Sequence, residues 1–360
     1  MTDLFLKVKT HQEQNLPFVL YSKPNKPVIV GLFQKNDHLY TVENFKEKGF
    51  VFAPFDGEHI VLFPEEHLKI FTEHFQSMEM QLPENVFYEM DEKAKSDFEH
   101  LVEKGIKAIN AGHFQKVVLS RKEEISLETF DVETTFKKML HNYPSAFKYF
   151  FYHPKVGMWM GATPEQLLKV KDFDIETVAL AGTKVNKGKE ATVWKSKEQE
   201  EQQFVTQFIL ENIKSFVSEE VVSSPYTVEA GNLLHIKTDI SAKLNEKSDL
   251  GEVLKVLHPT PAVCGYPKLI AKNFILENEG YDREYYAGFL GELNMNFAIG
   301  KSEYSDLYVN LRCMKIDIAS NLAMVKANLY IGCGITKDSN PEKEFLETVN
   351  KSMTMKKILN

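Results

Sequence analysis

Long β-rich runs follow one another in this chain without a helix between each pair, and this limits the folds open to it. FQKVVLSR, FKYFFYH, VGMWMG and FDIETVALAG form one block, while YYAGFLGELNMNFAIG, SDLYVNLRCMKIDIA and LAMVKANLYIGCGI form another near the end. Parallel neighbours need a crossover of a dozen or more residues, usually a helix. Without a regular βαβ alternation, the pattern predicts an α+β fold built on large antiparallel sheets. Helices are expected at intervals. One is read from a capping box at Ser96-Asp97-Phe98-Glu99 to Gly112, and a polar one from about Lys195 to Val217. Others end at Leu257, cover KLIAKNFILENE, and start at Pro341 behind an Asn340 N-cap. Residues 1–90 read as a flank of short strands (PVIVGLF, HLYTVENF, EHIVLFP) that joins the same fold but holds no chemical constellation. With no Pro/Gly/Ser-rich linker beyond it, 91–360 reads as one catalytic domain.

Lys and Arg total 43 against 51 Asp and Glu, a net charge of −8, which opposes a general nucleic-acid binder. The 26 Phe and 14 Tyr argue for a packed core rather than disorder. The chain has no 18-residue apolar stretch, and MTDLFLKVKTHQEQNLPF lacks the uncharged core of a signal peptide. Cys264, Cys313 and Cys333 have neither disulfide-framework nor zinc spacing. A cytoplasmic monomer without membrane or nucleic-acid partners is the expectation. Gly332-Cys333-Gly334 lacks the third glycine of a dinucleotide fingerprint. In the phosphate-loop-like GTKVNKGK of Gly182–Lys189, the glycines are too far apart and Glu190 stands where Ser or Thr should be. HExxH and GxSxG do not occur.

Carboxylates and one lysine then stand out. Glu344 and Glu347 share a face of the last helix, with Lys351 four residues further on. Glu201 extends the apolar stripe of Val205 and Phe208 by one turn, so it is either wet at a frayed end or buried with a partner. If the three glutamates converge, they form an oxygen-lined site suited to Mg²⁺. Lys116 alternates with Phe114 and Val118 on one strand face, where it either ends wet or loses solvent and becomes a candidate base. Glu165, between Pro164 and Leu167-Leu168, is either a surface turn residue or a carboxyl kept protonated as an acid.

In their order along the chain, QKVVLSR, GATPEQLL, ALAGT, EEQQFV, HIKT, HPTPAVCG, REYYAGFLGE, NLRCMKI, YIGCGI and SNPEKEFLETVNK resemble the chorismate-utilising enzyme family. The match runs from about residue 100 to the C-terminus and is nearest to the isochorismate synthase branch. The resemblance implies two large antiparallel sheets packed as a sandwich, with flanking helices and an active site between them. It implies that Lys116 is the base that activates water, a position where ammonia-using anthranilate synthases usually carry glutamine. It implies that Glu165 is the acid protonating the departing C4 hydroxyl, and that Glu201, Glu344 and Glu347 serve Mg²⁺. Gly182, Thr183, Ala262, Arg312, Gly332 and Lys351 match substrate-holding positions, and His235 matches a histidine near the C4 hydroxyl.

Two departures bear on the branch. Aminodeoxychorismate synthases carry PIKGT, but Leu180-Ala181-Gly182-Thr183 lacks that nucleophilic lysine. Gln202 stands where the family often has histidine after the metal glutamate. The resemblance therefore implies reversible isomerisation of chorismate to isochorismate with Mg²⁺, in a menaquinone or siderophore pathway and without a glutaminase subunit. Salicylate synthase, anthranilate synthase component I and a non-catalytic binding protein are the alternatives.

Overall fold

The computed structural model describes residues 3–75, 91–186, 193–230, 233–318 and 324–359. Two antiparallel sheets dominate it. Edge to edge, the nine-stranded sheet runs Gly265–Tyr266, Lys116–Leu127, Val325–Ile335, Cys313–Ile318, Gly157–Thr163, Phe147–His153, Phe18–Ser22, Val28–Gln34 and Leu68–His74. The ten-stranded sheet runs Val217–Val222, Leu233–Leu244, Asp174–Val185, Gln166–Lys171, Tyr304–Val309, Phe289–Leu293, Gly49–Ala53, Val61–Pro64 and Tyr40–Thr41. Tyr226–Ala230 also pairs with Leu233–Leu244 in this sheet.

Aromatic side chains fill the space between the sheets. Phe52 of the ten-stranded sheet lies 4.4 Å from Phe151 of the other and stacks on Tyr285 at 4.2 Å. Tyr308 stacks on Phe147 at 4.4 Å. Such rings bury large apolar areas in preferred offset geometries. A second core on the outer face of the nine-stranded sheet joins Phe18, Leu20 and Phe150 to Phe5 of the helix Asp3–Glu13 and Phe136 of the helix Val132–Asn142. The strand Phe147–His153 is therefore covered on both faces, which explains why nearly all of it is buried.

The strands before residue 91 lie inside both sheets, and a buried ionic cluster ties them across the sandwich. Glu292, fully buried, accepts from the Tyr21 hydroxyl, the Lys23 ammonium and, at 3.0 Å, the Phe297 backbone N–H. Lys23 also lies 3.1 Å from Asp306. Removing one partner of a buried pair leaves an uncompensated charge. Lys23→Met is expected to cost about 3–5 kcal/mol, read as a lowered urea midpoint with an unchanged slope.

Several boundaries differ from the sequence reading. The helix expected from Ser96 begins at Glu92, because the Asp91 side chain accepts from the N–H groups of Lys93 and Ala94 and leaves Ser96 inside the helix. The polar helix is Ser196–Ile213, and Val217 already belongs to a strand. SDLYVNLRCMKIDIA is two strands in different sheets, broken at Asn310-Leu311-Arg312. Asn310 is fully buried. It donates to the Tyr285 carbonyl at 2.9 Å and accepts from the Tyr149 hydroxyl at 2.7 Å, while Arg312 takes a positive φ of 48°. In YYAGFLGELNMNFAIG, strand pairing starts only at Phe289. Lys187 to Lys189 of the phosphate-loop-like segment, and Glu190, lie outside the described residues.

Candidate active site

The chain passes between the sheets at two neighbouring points, and each carries an ionisable side chain into the gap. Pro164 and Glu165 link Gly157–Thr163 of one sheet to Gln166–Lys171 of the other. Thr163 Oγ1 donates to the Val309 carbonyl at 2.6 Å, and the Val309 N–H donates to the Glu165 carbonyl at 3.0 Å, locking that link onto the Asn310–Arg312 crossing. Around these crossings lies a cavity of about 690 Å³, open mouth included. Lys116, Glu165, Gly182, Thr183, Glu201, His235, Ala262, Arg312, Gly332, Glu347 and Lys351 all line it. Of the residues singled out in the sequence, only Glu344 stands off its wall, buried one turn before Glu347.

Lys116 opens the strand Lys116–Leu127 and is 1% exposed. Burial lowers its pKa, a shift that Glu201 and Glu165 oppose. Burial pushes Glu165 up to about 8, with Lys116, Lys351 and Arg312 pulling it back. At neutral pH the carboxyl is therefore mostly protonated. Burial draws Arg312 down to about 10, which still leaves it charged. Among the described residues, no carboxylate lies within ion-pair distance of it. A half-buried guanidinium that faces the cavity without an ion-pair partner is suited to receiving an anion there.

His235 is held in one tautomer. Its Nδ1 lies 2.8 Å from the Gly182 carbonyl, which can only accept, so the proton is on Nδ1. Burial, reinforced by Arg312 and Lys351, pulls its pKa down to about 3, so the ring stays neutral. Nε2 is buried without a protein partner and presents a lone pair to a hydroxyl donor.

The glutamates come from two helices, Ser196–Ile213 and Pro341–Leu359. Glu201 remains on the buried stripe of its helix at 7% exposure. Burial raises its pKa against Lys116 and Lys197, with Glu347 and Glu344 adding to the rise. Burial also opposes ionisation of Glu347, but Lys351, 2.7 Å away, and then Lys197 outweigh it and hold the carboxyl below its ordinary range. Lys351 also donates to the Gly332 carbonyl at 3.0 Å. Glu344 is raised by burial, against Lys197. Among the described residues, no three acidic, imidazole or thiolate groups close into a metal cage. Lys197 sits among the carboxylates instead, hydrogen-bonded to Glu344 and 3.5 Å from Glu201. The donor set still fits a hard cation, because two carboxylates, Glu201 and Glu344, already converge on one positive charge, with Glu347, paired to Lys351, one helical turn beyond Glu344.

Beside Gly332, already matched to a substrate-holding position, some contributors were not singled out in the sequence. A Cβ on Gly334 would fall 2.9 Å from Glu201 Oε2 and 3.2 Å from Lys116 Cε, and one on Gly332 would fall 2.7 Å from the Tyr286 hydroxyl. The bare GxG thus makes room for the site at the C-terminal end of the strand Val325–Ile335. Tyr286 and Tyr330 complete the wall. Lys197 was legible as the helical i,i+4 partner of Glu201.

Residues 56–360 match the family model described as chorismate binding enzyme. The chain is 29% identical over 274 residues to the salicylate biosynthesis isochorismate synthase of Pseudomonas aeruginosa, covering 74% of this chain and 55% of that protein. It is also 29% identical to isochorismate synthase MenF of Escherichia coli, covering 74% of this chain and 60% of that one. The chain thus spans little more than half the length of these curated relatives. The solved structure of the Escherichia coli menaquinone-specific enzyme MenF superposes with a TM-score of 0.77 at 22% identity, covering 96% of this chain and 89% of that one. By fold and by the family model, this chain belongs to the chorismate-binding enzymes.

Proposed function

We propose that this protein is an isochorismate synthase, isomerising chorismate to isochorismate reversibly with Mg²⁺ and without a glutaminase subunit. The observation that carries the reading is a fully buried lysine and a largely protonated buried glutamic acid lining one cavity, with an unpaired guanidinium beside them. Relatives bearing the isochorismate synthase name support it.

Chorismate carries two carboxylates, and Arg312 and Lys351 supply fixed positive charge for them. Glu201, Glu344 and Glu347 would hold Mg²⁺, which supplies Lewis-acid neutralisation of a carboxylate when bound. Neutral Lys116 takes a proton from water as the water oxygen bonds to C2. The ring double bonds shift, and the C4–O bond breaks as Glu165 gives its proton to the departing hydroxyl, which leaves as water. His235 Nε2 can accept a hydrogen bond from a substrate hydroxyl and orient it. One water enters and one leaves, so no redox partner is needed. The product is a substrate for either menaquinone or catechol siderophore assembly.

The direct test is incubation of purified protein with chorismate and Mg²⁺, followed by chromatographic separation. Isochorismate is expected, with no pyruvate in a lactate dehydrogenase-coupled assay. Anthranilate formed only with ammonia would overturn the water-addition reading, and pyruvate released in step with turnover would identify a salicylate synthase.

A further inference from the structure

The ammonium of Lys197 lies where a cation bound by Glu201 and Glu344 would lie. Its side chain leaves the first turn of the helix Ser196–Ile213, four residues before Glu201, and crosses to Glu344 on the helix Pro341–Leu359. The Glu344 side chain is only 3% exposed and that of Glu201 only 9%, while that of Lys197 is 22% exposed and borders solvent. Lys351 already partners Glu347 from within its own helix. Removing Lys197 would thus leave the two most buried carboxylates without the cation they share, although Lys116 also faces Glu201.

We propose that Lys197 is a tethered counter-ion that fills the acidic cluster in the metal-free protein and must swing outward before a divalent ion can bind. The inference presupposes the Mg²⁺ reading above. Three features support it. The contacts of Lys197 are to two of the groups that would hold the metal, so both cations cannot use them at once. Its partial exposure gives the side chain an exit without disturbing the sheets. Exchange of a single positive charge for a double one also adds one unit of positive charge to the site, which favours a dianion in the adjoining cavity. Metal and dianion binding should then strengthen each other, as linkage requires. In this arrangement Lys197 sets the metal concentration at which the site loads and keeps the carboxylates from repelling one another until then.

The test is calorimetric titration of MgCl₂ into the full chain, without substrate, for wild type, Lys197→Met and Lys197→Arg. Methionine keeps the stem and removes the charge, so Mg²⁺ affinity should rise about tenfold or more. Arginine keeps a cation in place, so affinity should stay the same or fall. If Lys197→Met folds poorly without metal, its melting temperature should climb more steeply with MgCl₂ than that of wild type, which reads the same competition. Wild type that binds Mg²⁺ with Lys197→Met binding no tighter would overturn the counter-ion role and leave the metal reading intact. Failure of both proteins to bind Mg²⁺ would overturn the two together.

Discussion

Replacing Lys116 by methionine is expected to lower kcat/KM for isochorismate formation by about 10²–10⁴-fold, the usual worth of a positioned general base. Methionine fills nearly the same volume, so the strand Lys116–Leu127, paired along Val325–Ile335, should keep its register. The choice matters because Lys116 Cε packs close to Gly334, and a shorter side chain would leave a hole for a water that could stand in as base. The pH profile separates a base from a merely attractive charge. Lys116 must be neutral to accept a proton, so the wild-type kcat/KM should rise with pH as this lysine, lowered by burial, deprotonates. In Lys116→Met that rising limb should vanish. A variant that kept full turnover, or kept the limb, would remove the lysine from the chemistry. Steady-state rates from pH 6 to 9, with product separation, provide both readouts.

Strand content and antiparallel arrangement were legible because turns and alternation are local signals, and the run FKYFFYH coincides at both ends with the strand Phe147–His153. The break at Asn310 was not, since Asn-Leu-Arg interrupts neither the apolar run nor the alternation around it. What stops the strand is non-local: the Tyr149 hydroxyl, 161 residues earlier, and the Tyr285 carbonyl, 25 residues earlier, capture the Asn310 side chain. The same limit applies at the helix beginning at Glu92. Two acceptable caps, Asp91 and Ser96, stood five residues apart, and the earlier one took the backbone N–H groups. The site was legible to different degrees. Glu201, Lys116 and Glu165 each had a surface alternative as good as the buried one until the ordered motifs joined them. What no periodicity could reveal was the partner of each charge. Lys197 reaches a glutamate 147 positions away, and Gly334 owes its identity to two side chains from other elements. The early strands look dispensable by motif, yet Tyr21 and Lys23 close an ionic cluster with Glu292 on the far side of the sandwich.

Glu165→Gln should separate binding from turnover more cleanly than any other change in the cavity. Burial holds the Glu165 pKa near 8, so at pH 7 the wild-type group is mostly an uncharged carboxylic acid. Glutamine has nearly the same shape and also carries no charge, so substrate affinity and thermal stability at that pH should change little. It cannot release a proton to a departing hydroxyl, so kcat should fall by about 10²–10⁴-fold while the dissociation constant for chorismate stays within a few-fold. The pH profile carries the sign. The acid is active while protonated, so wild-type kcat/KM should fall as pH rises through about 8. That descending limb should disappear in Glu165→Gln, leaving the ascending limb of Lys116. Glu165 and Lys116 sense each other's charge, so the two wild-type limbs report the pair rather than isolated groups. Removing either residue should shift the limb that remains. Loss of Glu165 as a potential anion should move the Lys116 limb to lower pH, because its carboxylate no longer favours the ammonium. A retained descending limb near pH 8, or loss of binding in step with turnover, would instead assign Glu165 a structural role.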